Sequence, residues 1–261
     1  MVDQLSVSQI KKYLSVNPKP AVQVFNAIDS TQTYVLKHRF VRPRLVVTDH
    51  QTNGHGQRGH RFYSPHASGI YMTLALPARK RFIVNPGILT AGLGVAVVDA
   101  VQPFVDAPVR LKWMNDISCR GRKCGGLLVE TNSDRDNLIR SFVIGLGLNL
   151  YTHRFPKSIK NRAGYLFNGQ PLVSRNQLIA KIYNHISEIY TSRPKTWLLD
   201  RYQKLLLWRN RQVSFRFRGA FRTGVIRGID ARARLMIVKH QRKTYHLSYR
   251  DASQIRLKNF S

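Results

Sequence analysis

The segment 109–130 constrains this chain more than any other, because it combines two apolar runs with paired glycines and clustered cations. Leu111 and Trp113 alternate with basic residues in the first run, which ends at Asn115-Asp116, a pair typical of turns. A second apolar run follows the glycines and ends at Glu130. We therefore expect a strand, a turn and a second strand that is reached through Gly125-Gly126.

Three cations lie close to those glycines in the sequence: Lys112, Arg122 and Lys123. Gly125 and Gly126 leave the neighbouring backbone without side chains, so that a ligand can approach it closely. Positive charge beside bare backbone suits a negatively charged, phosphate-bearing ligand. The segment therefore predicts an anion site.

The whole chain is 43% hydrophobic and so has enough apolar residues for a real core. Helical spacing predicts helices over 4–14, 34–36, 86–101, 177–190 and 196–207. Apolar runs and alternation predict strands over 22–25, 45–47, 70–76 and 142–150. A polar loop with several glycines is expected over 50–61, and an irregular connection over 151–170.

After Trp208 the pattern changes to short strands, at 213–217, 225–229, 235–238 and 245–247. This change predicts a small all-β domain of about fifty residues behind an α+β body. We place the body at 1–207 and the small domain at 208–261.

The charge balance is unusual, with 43 Lys and Arg against 13 Asp and Glu and a formal net charge of +30. Residues 201–261 carry 16 cations and 2 anions. Such a field attracts nucleic acid, anionic surfaces or acidic partners without specifying which. Because the excess is spread along the chain, with no helix-turn-helix pattern and no basic tail, we interpret it as a generally basic surface.

The two cysteines, Cys119 and Cys124, are too few for a disulfide framework or a metal site, so reduced thiols are expected. We find no segment long and apolar enough to cross a bilayer, and no secretion signal at the N-terminus. These observations favour a soluble cytoplasmic protein.

Four segments, taken in order and spacing, resemble the biotin–protein ligases. They are Asp29-Ser30-Thr31-Gln32, the loop 51–60, Lys112-Trp113-Met114-Asn115-Asp116 with 122–126, and Gly145-Leu146-Gly147-Leu148-Asn149. The similarity runs from about residue 22 to about residue 257. It implies a class II synthetase-like mixed sheet with helices, followed by a small SH3-like β-barrel, in the ligase-only class that lacks an N-terminal DNA-binding module.

The resemblance implies a two-step, ATP-dependent ligase reaction. Biotin and MgATP give biotinyl-5′-AMP and pyrophosphate, and a lysine of a biotin carboxyl carrier domain then takes the biotin. It implies no specific DNA partner and no membrane, and it leaves monomer and homodimer open.

The matching positions give the expected site residues. Lys123 is the expected catalytic electrostatic group, although a solvated turn lysine is the alternative. Expected biotin contacts are Ser30, Thr31, Gln32, Gln51, His55, Gly56, Gln57, Lys123, Gly125 and Gly126. Expected ATP contacts are Gly54, Arg58, Gly59, His60, Phe62, Lys112, Asn115 and Asn149.

Three of these residues keep a second interpretation. Asp116 either holds Mg²⁺ through water or caps the turn. Ser30 contacts biotin, caps a helix, or does both. Asn149 either contacts the nucleotide or serves as a structural cap at the end of a buried strand.

The loop departs from the family pattern, in which arginines contact the adenylate. His55, Gln57 and His60 stand at three of those arginine positions, while Arg58 and Arg61 remain nearby. This departure leaves open a degenerate paralogue that binds biotin or adenylate with weak or promiscuous transfer. A lipoate-type ligase of the same superfamily and a basic nucleic-acid-binding protein are further alternatives.

Overall fold

The computed structural model describes residues 3–38, 40, 42–152, 154–169, 171–238, 244–248 and 252–258. Its helices are α1 Val7–Tyr13, α2 Thr31–Lys37, α3 Lys80–Val84, α4 Pro86–Val101, α5 Arg175–Thr191 and α6 Lys195–Leu205. Its strands are β1 Ala21–Ile28, β2 Arg44–Gln51, β3 Gly69–Pro77, β4 Val109–Lys112, β5 Asp116–Cys119, β6 Arg122–Ser133, β7 Ile139–Asn149, β8 Gln212–Phe217, β9 Ala220–Ile229, β10 Leu235–Val238, β11 Thr244–Leu247 and β12 Ala252–Leu257.

Seven strands form a mixed sheet in the order β1-β2-β3-β7-β6-β5-β4. Strands β1 and β2 are parallel, and the remaining neighbours are antiparallel. The long central strands β3, β6 and β7 bring residues from distant parts of the chain to one place. The predicted α+β body is confirmed.

Helix α4 lies in the core and packs against α5 and α6. Pro86 occupies its first turn, where a missing N–H costs nothing, and nearly all of its side chains are buried. The segment Pro86–Phe104 is long and apolar enough to cross a membrane by length and composition, so our expectation that no such segment exists is wrong. Within the protein, 72% of its apolar window is buried, as in the core helix of a soluble fold.

The segment 109–130 forms three strands, where two were expected. Arg120 and Gly121, with φ values of 49° and 74°, form a tight turn that joins β5 to β6. Positive φ at both central residues is typical of two-residue hairpins, and the Arg-Gly pair did not signal it in the sequence. Gly125-Gly126 lies inside β6 and is not a connection.

Five strands form a second, antiparallel sheet in the order β11-β10-β9-β8-β12. The predicted small β region is therefore present, with β12 as a strand that the sequence pattern did not indicate; helix α3 was missed as well. Trp113 ties the two sheets together, because its Nε1 donates a 3.0 Å hydrogen bond to the carbonyl of Ala233. Closure of this sheet into an SH3-like barrel, and a domain boundary at 207/208, remain predictions.

A buried ion pair joins the start of α5 to the seven-stranded sheet. Arg175, 2% exposed, donates from Nη1 to Oδ1 of Asp49 on β2 at 2.5 Å. Its guanidinium also donates to the carbonyl of Asp3. These contacts tie the N-terminal segment, β2 and α5 to one another.

Candidate active site

Two adjoining cavities open beside the central strands. The first has a volume of about 320 Å³ and is bordered by the N-terminus of α2, the loop 51–62 and strands β3, β6 and β7. The second has a volume of about 630 Å³ and lies between that loop, β5, β6 and the connection 155–163. Both cavities share six lining residues: His60, Arg61, Phe62, Lys112, Asp116 and Lys123.

Uncharged side chains that are hydrogen-bonded to one another line one part of the first cavity. Gln51 Oε1 accepts from the backbone N–H of Thr31 at 3.0 Å and lies 3.2 Å from its hydroxyl. Thr73, fully buried in β3, places its hydroxyl 2.9 Å from that of Thr31 and 3.2 Å from Oε1 of Gln32. Ser30 caps α2 by accepting from the N–H of Thr33 at 3.3 Å, so its capping role is confirmed.

Gln32 is held from both ends of its amide. Its Nε2 donates to Oε2 of Glu130 at 2.8 Å and to the carbonyl of Val143 at 3.3 Å. Gly145 makes this arrangement possible, because a Cβ there would lie 2.6 Å from Oε1 of Gln32. Glu130 and Thr73 were not predicted; the only signal for Thr73 is a polar residue within a buried apolar strand.

Charged side chains lie at the shared boundary of the two cavities. The ammonium of Lys123 lies 2.5 Å from Oδ1 of Asp116, while Lys123 remains 45% exposed at its side chain. A Cβ on Gly126 would lie 3.4 Å from Nζ of Lys123, in contact with the ammonium. Gly125 lines the second cavity, and a Cβ there would lie 2.6 Å from the carbonyl oxygen of Gly147 on β7.

Lys112 stands on the other side of the same boundary. Its ammonium lies 5.0 Å from the ring centroid of Trp208, a cation–π distance. Burial lowers the pKa of Lys112 below its usual value, and the carboxylate of Asp116 opposes that effect. Two lysines and one carboxylate thus leave a net positive charge where the cavities meet.

The loop 54–62 is folded as a short hairpin. Gly56 N–H donates to the carbonyl of His60 at 2.8 Å, and Phe62 N–H donates to that of Gly54 at 2.8 Å. The ring of Phe62 lies against Gly147, where a Cβ would come within 2.5 Å of it. His55 places Nδ1 3.4 Å from the hydroxyl of Ser30.

The structure brings most of the predicted residues to the cavities. Residues that line the first cavity include Ser30, Thr31, Gln32, Gln51, His55, Gly56, Gln57, Arg58, His60, Phe62, Lys112, Asn115, Asp116, Lys123 and Gly126. Gly125 and Asn149 line the second. Gly54 and Gly59 border neither of them and instead shape the hairpin, Gly59 with a φ of 72°.

The two predicted asparagines differ in their remaining hydrogen-bonding capacity. Asn115 donates from Nδ2 to the carbonyl of Leu127 at 2.8 Å and so braces the turn. Asn149 donates from Nδ2 to the carbonyl of Gly164 at 3.0 Å, and its Oδ1 is buried without a partner among the residues that the structure describes. A buried acceptor without a donor indicates either a water or a ligand N–H.

Over the described part of the chain, no group of three or more His, Cys, Asp or Glu side chains could hold a metal ion. Asp116 alone fits Mg²⁺ only where phosphate oxygens complete the coordination, which is the usual arrangement for this ion. Cys119 and Cys124 are free buried thiols, as expected. The hydrogen bond from Cys124 lowers the pKa of Cys119 to about 7.

Residues 24–149 match the model of the biotin/lipoate A/B protein ligase family. The bifunctional ligase/repressor BirA of Escherichia coli is 26% identical over 223 residues, which cover 83% of this chain and 69% of that protein. The biotin–[acetyl-CoA-carboxylase] ligase of Mycobacterium tuberculosis is 26% identical over 146 residues, 54% of this chain and 52% of that one.

Among solved structures, the biotin protein ligase of Aquifex aeolicus, crystallised with biotin and ATP, has the same fold. The two superpose with a TM-score of 0.79 at 23% identity, over 91% of this chain and 99% of that one. The matched segment 24–149 contains α2, the hairpin loop, both lysines of the cavity boundary and the glycines of β6 and β7. Over this segment, the chain is similar to the biotin/lipoate A/B protein ligase family.

Proposed function

We propose that this protein is an ATP-dependent biotin–protein ligase. The relatives named above include a bifunctional ligase/repressor and a biotin–[acetyl-CoA-carboxylase] ligase, and the Aquifex aeolicus biotin protein ligase is in complex with biotin and ATP. The observation that carries the proposal is the position of Lys123, whose ammonium stands where the two cavities meet. A lysine there would contact ligands in both cavities at once.

The division of the cavities fits the two substrates. The first cavity has uncharged donors and acceptors on Thr31, Gln51 and Thr73, which suit the ureido ring of biotin. The second has twice the volume and borders the unpaired Oδ1 of Asn149, which suits a nucleotide with an N–H donor. The biotin carboxylate and the α-phosphate would then face each other across Lys123.

Repulsion between these two anions is part of the barrier of the first step. A carboxylate oxygen of biotin attacks the α-phosphorus, the bond to the bridging oxygen breaks, and pyrophosphate leaves. Lys123 and Lys112 offset the charge that builds on the phosphoryl oxygens, and fixed charges of this kind need no reorganisation during the reaction. Breaking the 2.5 Å contact with Asp116 frees the Lys123 ammonium for the ligands.

In the second step, the neutral amine of an acceptor lysine attacks the activated carbonyl, and AMP leaves with the bonding electrons. A biotin carboxyl carrier domain is the proposed acceptor. Mg²⁺, when bound with ATP, would offset phosphate charge, and Asp116 is the carboxylate that we propose would hold it.

The remaining features of the proposal are structural and cellular. We propose a catalytic unit over 1–207 and an SH3-like unit over 208–261, in a cytoplasmic enzyme that is a monomer or homodimer. Neither DNA repression nor membrane attachment is part of this activity.

The test combines two measurements on Lys123→Ala. Wild type with biotin and MgATP should release pyrophosphate and add one biotin mass to a carrier domain. Lys123→Ala should lose roughly 10²- to 10³-fold in pyrophosphate release, as when one transition-state donor is removed. Lys80→Ala, at an exposed lysine of α3, is the matched control and should keep the wild-type rate.

Three results would contradict the proposal. Pyrophosphate release without carrier labelling would indicate a degenerate paralogue that activates biotin but does not transfer it. Release with lipoate and none with biotin would indicate the lipoate-type reaction. Full activity in Lys123→Ala would remove the assigned catalytic role.

A further inference from the structure

The second sheet and the turn before it carry a set of arginines that line neither cavity. Residues 205–238 contain eight arginines, one aspartate, no lysine and no glutamate. The chain as a whole has both lysine and arginine, and lysines at positions 204 and 239 adjoin this segment. Seven of the eight are exposed: Arg209, Arg211, Arg216, Arg218, Arg222, Arg227 and Arg232.

A carboxylate partner distinguishes one of the eight arginines from the other seven. Arg234, the eighth, is paired with Asp230 at 2.7 Å. Within the ranges that the structure describes, none of the other seven forms an ion pair with a carboxylate. Their positive charge is therefore available to a ligand from outside the chain.

An exposed aromatic ring lies among these arginines. Phe221 is 70% exposed, and it stands directly opposite Arg216 in the pairing of β9 with β8. Directly opposed residues lie on the same face of a sheet, with Cβ atoms about 4.5–5.5 Å apart. The outward face thus presents a bare ring beside a guanidinium.

Arg227 lies on the same strand face, six residues from Phe221. The pairing of β9 with β10 passes from Gly228 to Ile226 and leaves Arg227 as the extra residue of a bulge. Its Nη1 lies 3.4 Å from Oδ1 of Asn210, so the turn that carries Arg209 and Arg211 adjoins this face. We define the arginine face as Arg216, Phe221 and Arg227, with the flanking Arg209, Arg211 and Arg218.

We propose that the arginine face binds single-stranded nucleic acid. Arginine contacts phosphate with two parallel donors, whereas lysine acts as a point charge, so the arginines of this face suit phosphate recognition. An uncovered ring next to cations provides the stacking platform on which unpaired bases bind with little sequence preference. Part of the excess positive charge thus lies together on one face of the second sheet.

An acidic polypeptide, including the proposed carrier domain, is the competing occupant. It would use the same arginines through its carboxylates, but it has no need of an exposed ring. The dependence on the ring therefore separates the two partners. Duplex nucleic acid is a second comparison, because its stacked bases cannot reach Phe221.

The experiment measures binding of the full-length protein to a fluorescein-labelled 20-nucleotide single strand by anisotropy, over a series of salt concentrations. Duplex of the same sequence and polyglutamate of equal charge are the competitors. Arg216→Ala and Arg227→Ala should each weaken binding and lower the slope of log K against log salt by about 0.7, since each removes one phosphate contact. Arg135→Ala, at an exposed arginine in the β6–β7 turn, is the matched control and should change neither quantity.

The ring is tested separately. Phe221→Leu should weaken single-strand binding roughly 5- to 100-fold with an unchanged salt slope, and Phe221→Tyr should restore it. Both variants should release pyrophosphate at the wild-type rate, which shows that the fold is intact and that the surface is independent of the ligase reaction. Equal binding of Phe221→Leu and wild type, or stronger competition by polyglutamate than by the single strand, would overturn the proposal.

Discussion

Gln57 occupies the position at which the resemblance places an adenylate-binding arginine. It lies in a tight turn of the hairpin loop and lines the first cavity. Gln57→Arg would add a charged hydrogen bond, which is worth about 1.5–3 kcal/mol. We expect this variant to release biotinyl-adenylate roughly 10- to 100-fold more slowly and to label bovine albumin correspondingly less than wild type does.

The control for Gln57→Arg is Gln4→Arg, which adds the same charge at an exposed glutamine away from both cavities. It should label albumin as wild type does. Equal, negligible labelling by wild type and Gln57→Arg would show that the loop retains the adenylate without an arginine at 57.

Burial of the Lys112 ammonium should lower the stability of the folded protein. Because burial lowers its pKa in the folded protein, the unfolded chain binds more protons between that lowered value and 10.5, the usual value. Stability therefore rises with pH through this window, and at lower pH the whole cost of the buried ammonium is present.

Lys112→Met should remove this cost and the activity together. We expect its urea midpoint at pH 7 to exceed that of wild type, with the difference shrinking as pH rises towards 10.5, while pyrophosphate release is lost. Lys80→Met, at an exposed position, should leave both properties unchanged. A lower midpoint for Lys112→Met at pH 7 would show that the contact with Trp208 outweighs the burial cost.

At the scale of elements, local patterns predicted those parts of the fold that depend on local chemistry. The cap at Ser30 and the proline at the start of α4 lie where the sequence predicts them. Ser30 accepts a hydrogen bond from a backbone N–H of the first turn, and Pro86 lacks an N–H that would have no partner there, so both depend only on residues nearby in the sequence. The hairpin at Arg120-Gly121 was missed because its turn is an unusual Arg-Gly pair. The ends of strands were predicted less accurately, because they depend on pairing partners that are distant in the sequence.

The site was predictable as a set of residues but not as a geometry. Most of the residues predicted from the motifs line the two cavities. Glu130 was missed because its contact with Gln32 spans 98 residues of sequence. Likewise, the ion pair of Lys123 with Asp116 depends on the register of β5 against β6. Such contacts follow from strand order, which no local pattern contains.

The contact between α5 and β2 gives a prediction about stability. Asp49 is buried at 6% exposure and is paired with Arg175, itself 2% exposed. Removing one partner leaves the other charge buried, which typically costs about 3–5 kcal/mol. We expect Asp49→Asn to lower the free energy of unfolding in urea by an amount near the low end of that range, because Asp3 still contacts the guanidinium.

Asp136→Asn is the matched control for this measurement, because Asp136 is exposed in the β6–β7 turn. Surface substitutions of this kind change stability by about 0.5 kcal/mol or less. A loss in Asp49→Asn no larger than in Asp136→Asn would show that the buried pair makes no net contribution.

At the scale of the whole molecule, the net charge of +30 includes two exposed basic surfaces. One is the arginine face of the second sheet. The other is the border of the second cavity, where the connection 155–163 approaches the strands and where Lys157 and Lys160 are exposed. The first is proposed for nucleic acid, and we propose that the acceptor protein approaches the second.

The border of the second cavity should control how fast the acceptor arrives. The resemblance implies an acidic carrier domain, and attraction between opposite net charges raises association rates mainly at low salt. We expect the second-order rate of biotin transfer to fall as ionic strength rises from about 50 to about 300 mM, over which the Debye length shortens. Lys157→Glu with Lys160→Glu should lower that rate at low salt and flatten its salt dependence, whereas Lys80→Glu with Arg135→Glu, the same change of charge elsewhere, should have a smaller effect. A transfer rate that is indifferent to ionic strength, or equal in the two double variants, would show that the acceptor reaches the site without electrostatic guidance from this border.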